Sequence, residues 1–355
     1  MKRISKFIRI VKRIIATTMI ATLVCMNVTS CGKKSIKNDK LTIVTTIFPE
    51  YDWVMNILGD KAKDADVTLL LDDGVDLHSY NPSAEDILKI KSADIFIYVG
   101  GESDAWVDDV LKDKLNKDMK VVNLLDELGD SVKEEEVVEG MQDEEHNHED
   151  GEDADHEDGE DADHEDEHDH EDGEVENDEH VWLSLKNAEI LCNKIEDAIS
   201  SVDKKNKETY ERNTKAYTTS FGILNVAYEN VKKGGDVDTI VVADRFPFRY
   251  LVDDCGLNYY AAFAGCSAES EASFETIDFL SKKIDELSLK YIFVIDNSDE
   301  KIAKTVIENT KNKDVQILRL DSMQSVTKKD IENGASYFKT MEENFGELSK
   351  ALLNE

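Results

Sequence analysis

The sequence predicts an α/β protein of two lobes, each a four-stranded, mostly parallel sheet flanked by helices, with a single long helix joining them. Three observations carry this expectation. Short apolar runs alternate with helical stretches between residues 41 and 125, a pattern of strand–helix–strand units that builds parallel sheets. The same alternation restarts at residue 239 and again supplies four strands. Between the halves, Tyr210, Tyr217, Phe221, Leu224, Tyr228 and Val231 recur at three-, four- and seven-residue spacing. That spacing marks one apolar stripe on a helix, and about 27 residues at ~1.5 Å each span about 40 Å, enough to run the length of both lobes.

In the first lobe (41–205), strands are expected at 41–47, 67–71, 95–99 and 121–125. Helices fall at 51–58, closed by Gly59, at 106–115 and at 185–202. A further helix starts behind Ser83, with Asp86 three residues on as an acidic capping box. The segment 72–82 between the second strand and that helix is a loop by its Gly, Asp and Pro content. The joining helix takes 206–233 and ends at Gly234-Gly235. The second lobe (234–355) has strands at 239–243, 259–264, 291–295 and 316–320, and helices at 248–255, 275–287, 301–311 and 336–353.

The N-terminus follows a different pattern. Lys2, Arg3, Lys6, Arg9, Lys12 and Arg13 precede an uncharged stretch, 14–28, that is short for a spanning helix. This reads as a secretory signal. Val28-Thr29-Ser30-Cys31 looks like a bacterial lipobox, so residues 1–31 are expected to direct acylation of Cys31, and 32–40 to tether the lipid to the fold. The protein would then sit on the outer face of the bacterial cytoplasmic membrane.

The formal charge of −36 over 355 residues is concentrated in one place: residues 134–179 hold 27 Asp and Glu and no Lys or Arg, leaving −9 for everything else. No basic face remains for nucleic acid, whereas cations are attracted. Inside the run, His148-Glu-Asp-Gly-Glu-Asp-Ala-Asp155 repeats at once from His156, and a decayed third copy begins at His164. Of eight histidines in the chain, six (His146, His148, His156, His164, His168, His170) lie here. Low apolar content and one sign of charge predict disorder over 134–179. Imidazoles among carboxylates predict a loose, low-affinity zinc collector.

The remaining histidines, His78 and His180, stand in ordered-looking sequence. In parallel α/β sheets, ligands gather beyond the carboxyl ends of strands. His78 follows the second strand and His180 lies in the connection leaving the fourth, while Asp244 and Asp321 end the first and fourth strands of the second lobe. Two imidazoles with one or two carboxylates across an interlobe cleft suit Zn²⁺ or Mn²⁺. Behind the lipobox only Cys192, Cys255 and Cys266 remain, an odd number with no Cys-x-x-Cys pair. That argues against a zinc knuckle and leaves a Cys255–Cys266 disulfide and two buried thiols equally open.

Several segments together resemble the metal-binding lipoproteins of bacterial zinc or manganese ABC importers, the helix-linked class of solute-binding proteins. These are Phe48-Pro-Glu-Tyr-Asp52, Leu77-His78-Ser-Tyr-Asn-Pro82, Asp178-Glu-His180-Val-Trp-Leu183 and the closing segment from Asn333 to Asn344. The resemblance implies a non-enzymatic, monomeric receptor that captures Zn²⁺ and delivers it to a membrane permease driven by an ATPase subunit, with Mn²⁺ the second cargo. The acidic His-rich insert before His180 is similar to that of the zinc branch. The family's third ligand, in a His-x-Ala-Phe-x-Tyr motif, is matched here by Arg245-Phe-Pro-Phe248-Arg-Tyr250. A guanidinium carries only donors and cannot ligate a cation. Asp244, Glu269, Glu271, a water, or an open coordination position remain as replacements, and Asp321 matches the position of the family's carboxylate. Two rival classes are a surface zinc hydrolase, for which neither His-Glu-x-x-His nor Gly-x-Ser-x-Gly is present, and an adhesin using the acidic loop.

Overall fold

The computed structural model describes residues 40–142, 176–235, 237–267 and 271–353. The expectations for Cys31, for residues 1–39, for the six insert histidines and for Glu269 lie outside the described residues.

The first sheet comprises β1 (Leu41–Thr45), β2 (Ala65–Leu69), β3 (Ile95–Tyr98) and β4 (Lys120–Asn123) in the order β2-β1-β3-β4. The second comprises β5 (Thr239–Phe246), β6 (Asn258–Ala264), β7 (Tyr291–Ile295) and β8 (Gln316–Leu320) in the order β6-β5-β7-β8. Every pairing is parallel. β3 and β7 are buried along their whole length, as continuous apolar strands must be when helices cover both faces of a sheet. In each sheet the chain leaves its first strand toward one edge and returns to the other side of it, placing a topological switch point beyond the carboxyl ends of the central pair.

The first helix, α1 (Phe48–Leu58), starts earlier than the apolar periodicity indicates. Pro49 sits in its first turn, where a missing N–H costs nothing, and a carboxyl oxygen of the buried Glu50 accepts from the Thr46 and Ile47 amides at 2.8 and 3.3 Å. The lobe is completed by α2 (Ala84–Ser92), closed at its start by the reciprocal Ser83–Asp86 bonds, and by α3 (Trp106–Lys112), α4 (Leu124–Leu128) and α5 (Leu185–Val202).

The joining helix is α6 (Lys207–Val231), 25 residues, about 38 Å at ~1.5 Å per residue. Its buried face carries Tyr210, Thr214, Thr218, Phe221, Leu224, Tyr228 and Val231, while Tyr217 is half-buried and donates to Asp52 Oδ2 at 2.7 Å. Near its start, Asn213 Nδ2 donates to the Ile57 carbonyl of α1 at 3.0 Å. Further along, Phe221 lies edge-on to Tyr337 with centroids 5.4 Å apart, and Tyr228 donates to the Met341 carbonyl at 2.7 Å. Tyr337 and Met341 belong to the closing helix α11 (Tyr337–Leu353). One apolar core therefore contains Trp53, Phe221 and Tyr337 together, and a smaller second core lies within the second lobe. That lobe is completed by α7 (Arg249–Cys255), α8 (Phe274–Leu287), α9 (Lys301–Asn309) and α10 (Lys328–Glu332).

Two expectations need correction. The strand containing Asp244 runs on to Phe246, with a bulge between Val242 and Arg245, so Asp244 lies within β5 rather than at its end. The ends of the acidic run are structured: Glu135 donates its amide to the Glu176 carbonyl and Asp178 donates to Lys133, both at 2.8 Å. Gln142 then donates to the Ala262 carbonyl of edge strand β6 at 3.0 Å. Backbone pairing, which is indifferent to side-chain charge, orders these flanks. Cys192, Cys255 and Cys266 are all free of disulfides. Among the described residues no helix is long and apolar enough to cross a membrane.

Candidate metal centre

His78 sits in a short 3₁₀ turn, Leu77–Ser79, behind β2. Asp76 caps that turn by accepting the His78 amide at 3.0 Å. The ring is fixed from one side by Ser103, whose Oγ lies 2.8 Å from Nδ1, with Glu179 Oε2 at 3.5 Å. Ser103 follows β3, so the two hydrogen-bonded residues come from the ends of the two strands that flank β1 in one sheet. His180, with 0% exposure, precedes the turn Val181–Leu183. Asp178 holds it twice, Oδ1 accepting both the backbone amide at 2.8 Å and ring Nδ1 at 2.9 Å. With Nδ1 engaged by that carboxyl oxygen, Nε2 is the ring nitrogen left to face a ligand.

The two Nε2 atoms face each other at 3.2 Å. Two nitrogens on a tetrahedral zinc with bonds near 2.1 Å are about 3.4 Å apart. The pair is therefore set at the edge length of a coordination tetrahedron, with each ring oriented through its other nitrogen, as ligating imidazoles usually are. Burial first, and the neighbouring His180 second, pull His78 down to about 3. Its ring is neutral at physiological pH and has no proton to lose on ligating a cation.

Close packing of backbone permits this. Gly101, at φ +79°, lies where a Cβ would be 2.3 Å from Glu179 Oε1, the atom that accepts the Ser103 amide at 2.9 Å. At Gly265 a Cβ would fall 3.1 Å from His180 Cε1 and 2.9 Å from the Phe246 carbonyl. The β6 loop of the second lobe therefore presses directly against the imidazole of the first.

That loop brings a third group. Cys266 Sγ and one ring nitrogen each of His78 and His180 all lie within 4.8 Å of one another, the one such group of His, Cys, Asp and Glu among the described residues. Burial, and then Glu135, Asp178 and Glu179, push the thiol well above its ordinary value. It is protonated unless a cation is present. The Cys266 amide is held by Glu135 Oε1 at 2.9 Å, so the first arm of the acidic run also positions this loop.

The second-lobe acids expected at the site are placed otherwise. Asp244 accepts the Arg245 amide at 3.0 Å and is raised by burial, against a hydrogen bond from Ser298. Asp321 is pinned to α11: Asn344 Oδ1 accepts its amide at 2.8 Å and Asn344 Nδ2 donates to its carbonyl at 2.9 Å. Its carboxyl accepts from the Met323 amide and shares a separate groove with Asp296 and Glu343. Burial and the nearby Asp296 raise it to about 7. Neither belongs to the histidine group, and Glu271 is exposed. Arg245 points back to the first lobe and donates through Nη2 to Asp76 Oδ2 at 2.7 Å. Burial opposes ionisation of Asp76, but the guanidinium outweighs it and holds the carboxyl below its usual range.

In the sequence, Asp178 and Glu179 stand out only as part of a motif, and Cys266 only as a disulfide or buried-thiol candidate. The strand-end rule that singled out His78 also applies to Cys266, which follows β6 by two residues.

The chain as a whole is similar to proteins of zinc uptake. The sequence profile of the zinc-uptake complex component A periplasmic family, ZnuA, matches residues 43–351. The chain is 30% identical over 337 residues to the zinc-binding lipoprotein AdcA of Streptococcus pneumoniae, covering 95% of this chain but only 61% of that protein. It is 29% identical over 340 residues to the high-affinity zinc uptake system protein ZnuA of Bacillus subtilis, covering 96% of each. The crystal structure of the Zn(II)-bound ZnuA-like domain of S. pneumoniae AdcA superposes with a TM-score of 0.64 at 27% identity, over 88% of this chain and 99% of that one.

Proposed function

We propose, from the premise that this chain belongs to the ZnuA family of zinc-uptake components, that it is a non-enzymatic receptor that binds Zn²⁺ between its lobes through His78 and His180. The observation that carries this reading is the 3.2 Å approach of two Nε2 atoms, each ring oriented by a separate partner. Two Nε2 atoms this close, each ring held through its other nitrogen, form a ready pair of ligands for one cation. In the full reading, acylated Cys31 ties the receptor to the outer face of the cytoplasmic membrane. The His-rich segment acts as a low-affinity collector of cations, and the bound ion passes to an ABC permease and its ATPase. The resemblance of the chain to named zinc-uptake proteins along nearly all its length supports this assignment.

Calorimetric titration of the full chain with Zn²⁺ tests it. One tight site is expected above a background of weak sites, and the tight site alone should vanish in the His78→Ala/His180→Ala variant. Survival of that site in the double variant refutes the reading.

A further inference from the structure

We propose that Cys266 is a direct ligand of the bound ion, so that the second lobe closes the site with a thiolate. The inference rests on the zinc-receptor reading above and adds the identity of the third ligand. Three features of the molecule lead to it. Cys266 Sγ belongs to the same 4.8 Å group as the two histidine nitrogens. The β6 loop is held against the site, with Gly265 packed on the His180 ring and Glu135 accepting the Cys266 amide. The other second-lobe groups are engaged elsewhere: Arg245 by Asp76, and Asp321 by Asn344 and Met323.

Bond lengths near 2.3 Å to sulfur and 2.1 Å to nitrogen put Sγ about 3.6 Å from each Nε2. A contraction of about 1 Å from the 4.8 Å limit achieves this. The chemistry balances simply: the S–H bond breaks, a metal–sulfur bond forms, and the proton leaves to solvent. Sulfur ligation also sets specificity, because a thiolate favours Zn²⁺ over the harder Mn²⁺.

Co²⁺ substitution reads sulfur directly, through a sulfur-to-cobalt charge-transfer band in the near ultraviolet. The acidic run of the full chain contains no cysteine, so metal collected there adds nothing to that band. Titrating the full chain with Co²⁺ should produce the band up to one equivalent, and added Zn²⁺ should remove it. It should be absent in Cys266→Ser and present in Cys192→Ser and Cys255→Ser. Zn²⁺ affinity should fall on the order of 100-fold in Cys266→Ser, with Mn²⁺ affinity changed much less. Tight binding of one Co²⁺ without the band, or a band that survives in Cys266→Ser, overturns this inference and leaves the zinc-receptor reading standing. Absence of any tight Co²⁺ or Zn²⁺ site overturns both.

Discussion

The two lobes share a strand order but bring unlike side chains to where they meet. The first offers two imidazoles, each locked by hydrogen bonds from its own lobe: Ser103 on His78, and Asp178 on His180. The second offers a cation, Arg245, and a protonated thiol, with its acids occupied elsewhere. Duplicated architecture thus carries unequal chemistry. In the proposed receptor, one half is built before the ion arrives and the other is completed by it. Preorganised donors lose little freedom on binding, so the first lobe should dominate affinity.

The largest effect that could break this asymmetry is removal of a first-lobe imidazole. His180→Ala should weaken the tight Zn²⁺ site on the order of 1000-fold or more, about 4 kcal/mol, by competition against a chelating dye. A loss no larger than that of Cys266→Ser would mean that the two lobes contribute equally. Next comes orientation. Asp178→Asn keeps the size of the side chain but loses the carboxylate charge on Nδ1, and should cost roughly 10–100-fold in affinity. Unchanged affinity would show that packing alone holds the ring.

Arg245→Gln sharpens the comparison from the second side. The charge-assisted bond to Asp76 ties β5 to the loop carrying His78, and its loss should lower apo stability by about 1–3 kcal/mol in urea unfolding. Removing a cation beside the site should at the same time raise Zn²⁺ affinity by roughly threefold to tenfold. A fall in both quantities would assign Arg245 to shaping the site rather than opposing its charge.

The smallest effect on affinity is expected from Glu50 and Asp104, buried acids of the first lobe. Burial, and then Asp104, raise Glu50 to about 8, while burial raises Asp104 to about 7. Both hold protons in the folded chain that the unfolded chain has released. Their contribution is full below about pH 4 and declines as pH rises toward 8. Thermal unfolding of the apo protein between pH 5 and 8 should show Tm falling with pH, and Glu50→Gln should flatten that slope. A slope unaltered by the substitution would place Glu50 outside the titration.

Much of this was legible in the sequence. All eight strands and the joining helix follow from periodicity, because central parallel strands are continuously apolar and a packed helix repeats its stripe. His78 and His180 stand out as lone imidazoles beyond strand ends, and the structure brings them together. What escaped depends on contacts between distant residues. Nothing near Asp321 announces that Asn344 will pin it, and no composition rule signals the bulge that carries β5 past Asp244. Cys266 offers no periodicity at all. Its place beside His180 is set by Gly265, whose lack of a side chain matters only once the two lobes meet. The flanks of the acidic run were misjudged because composition reports charge, whereas Glu135, Glu176 and Asp178 are ordered through their backbones.

The single core around α6 limits how cargo can come and go. Swinging one half away from the other would wet Phe221, Tyr337 and Trp53. At 150–250 Å² per aromatic ring and ~25 cal/mol per Å², each such exposure costs about 4–6 kcal/mol. A jaw hinged along that seam would be too stiff to operate on thermal energy. For the proposed receptor, loading and discharge then fall to the turn bearing residue 78 and the loop bearing residue 266, a latch worked at its tip while the spine stays still.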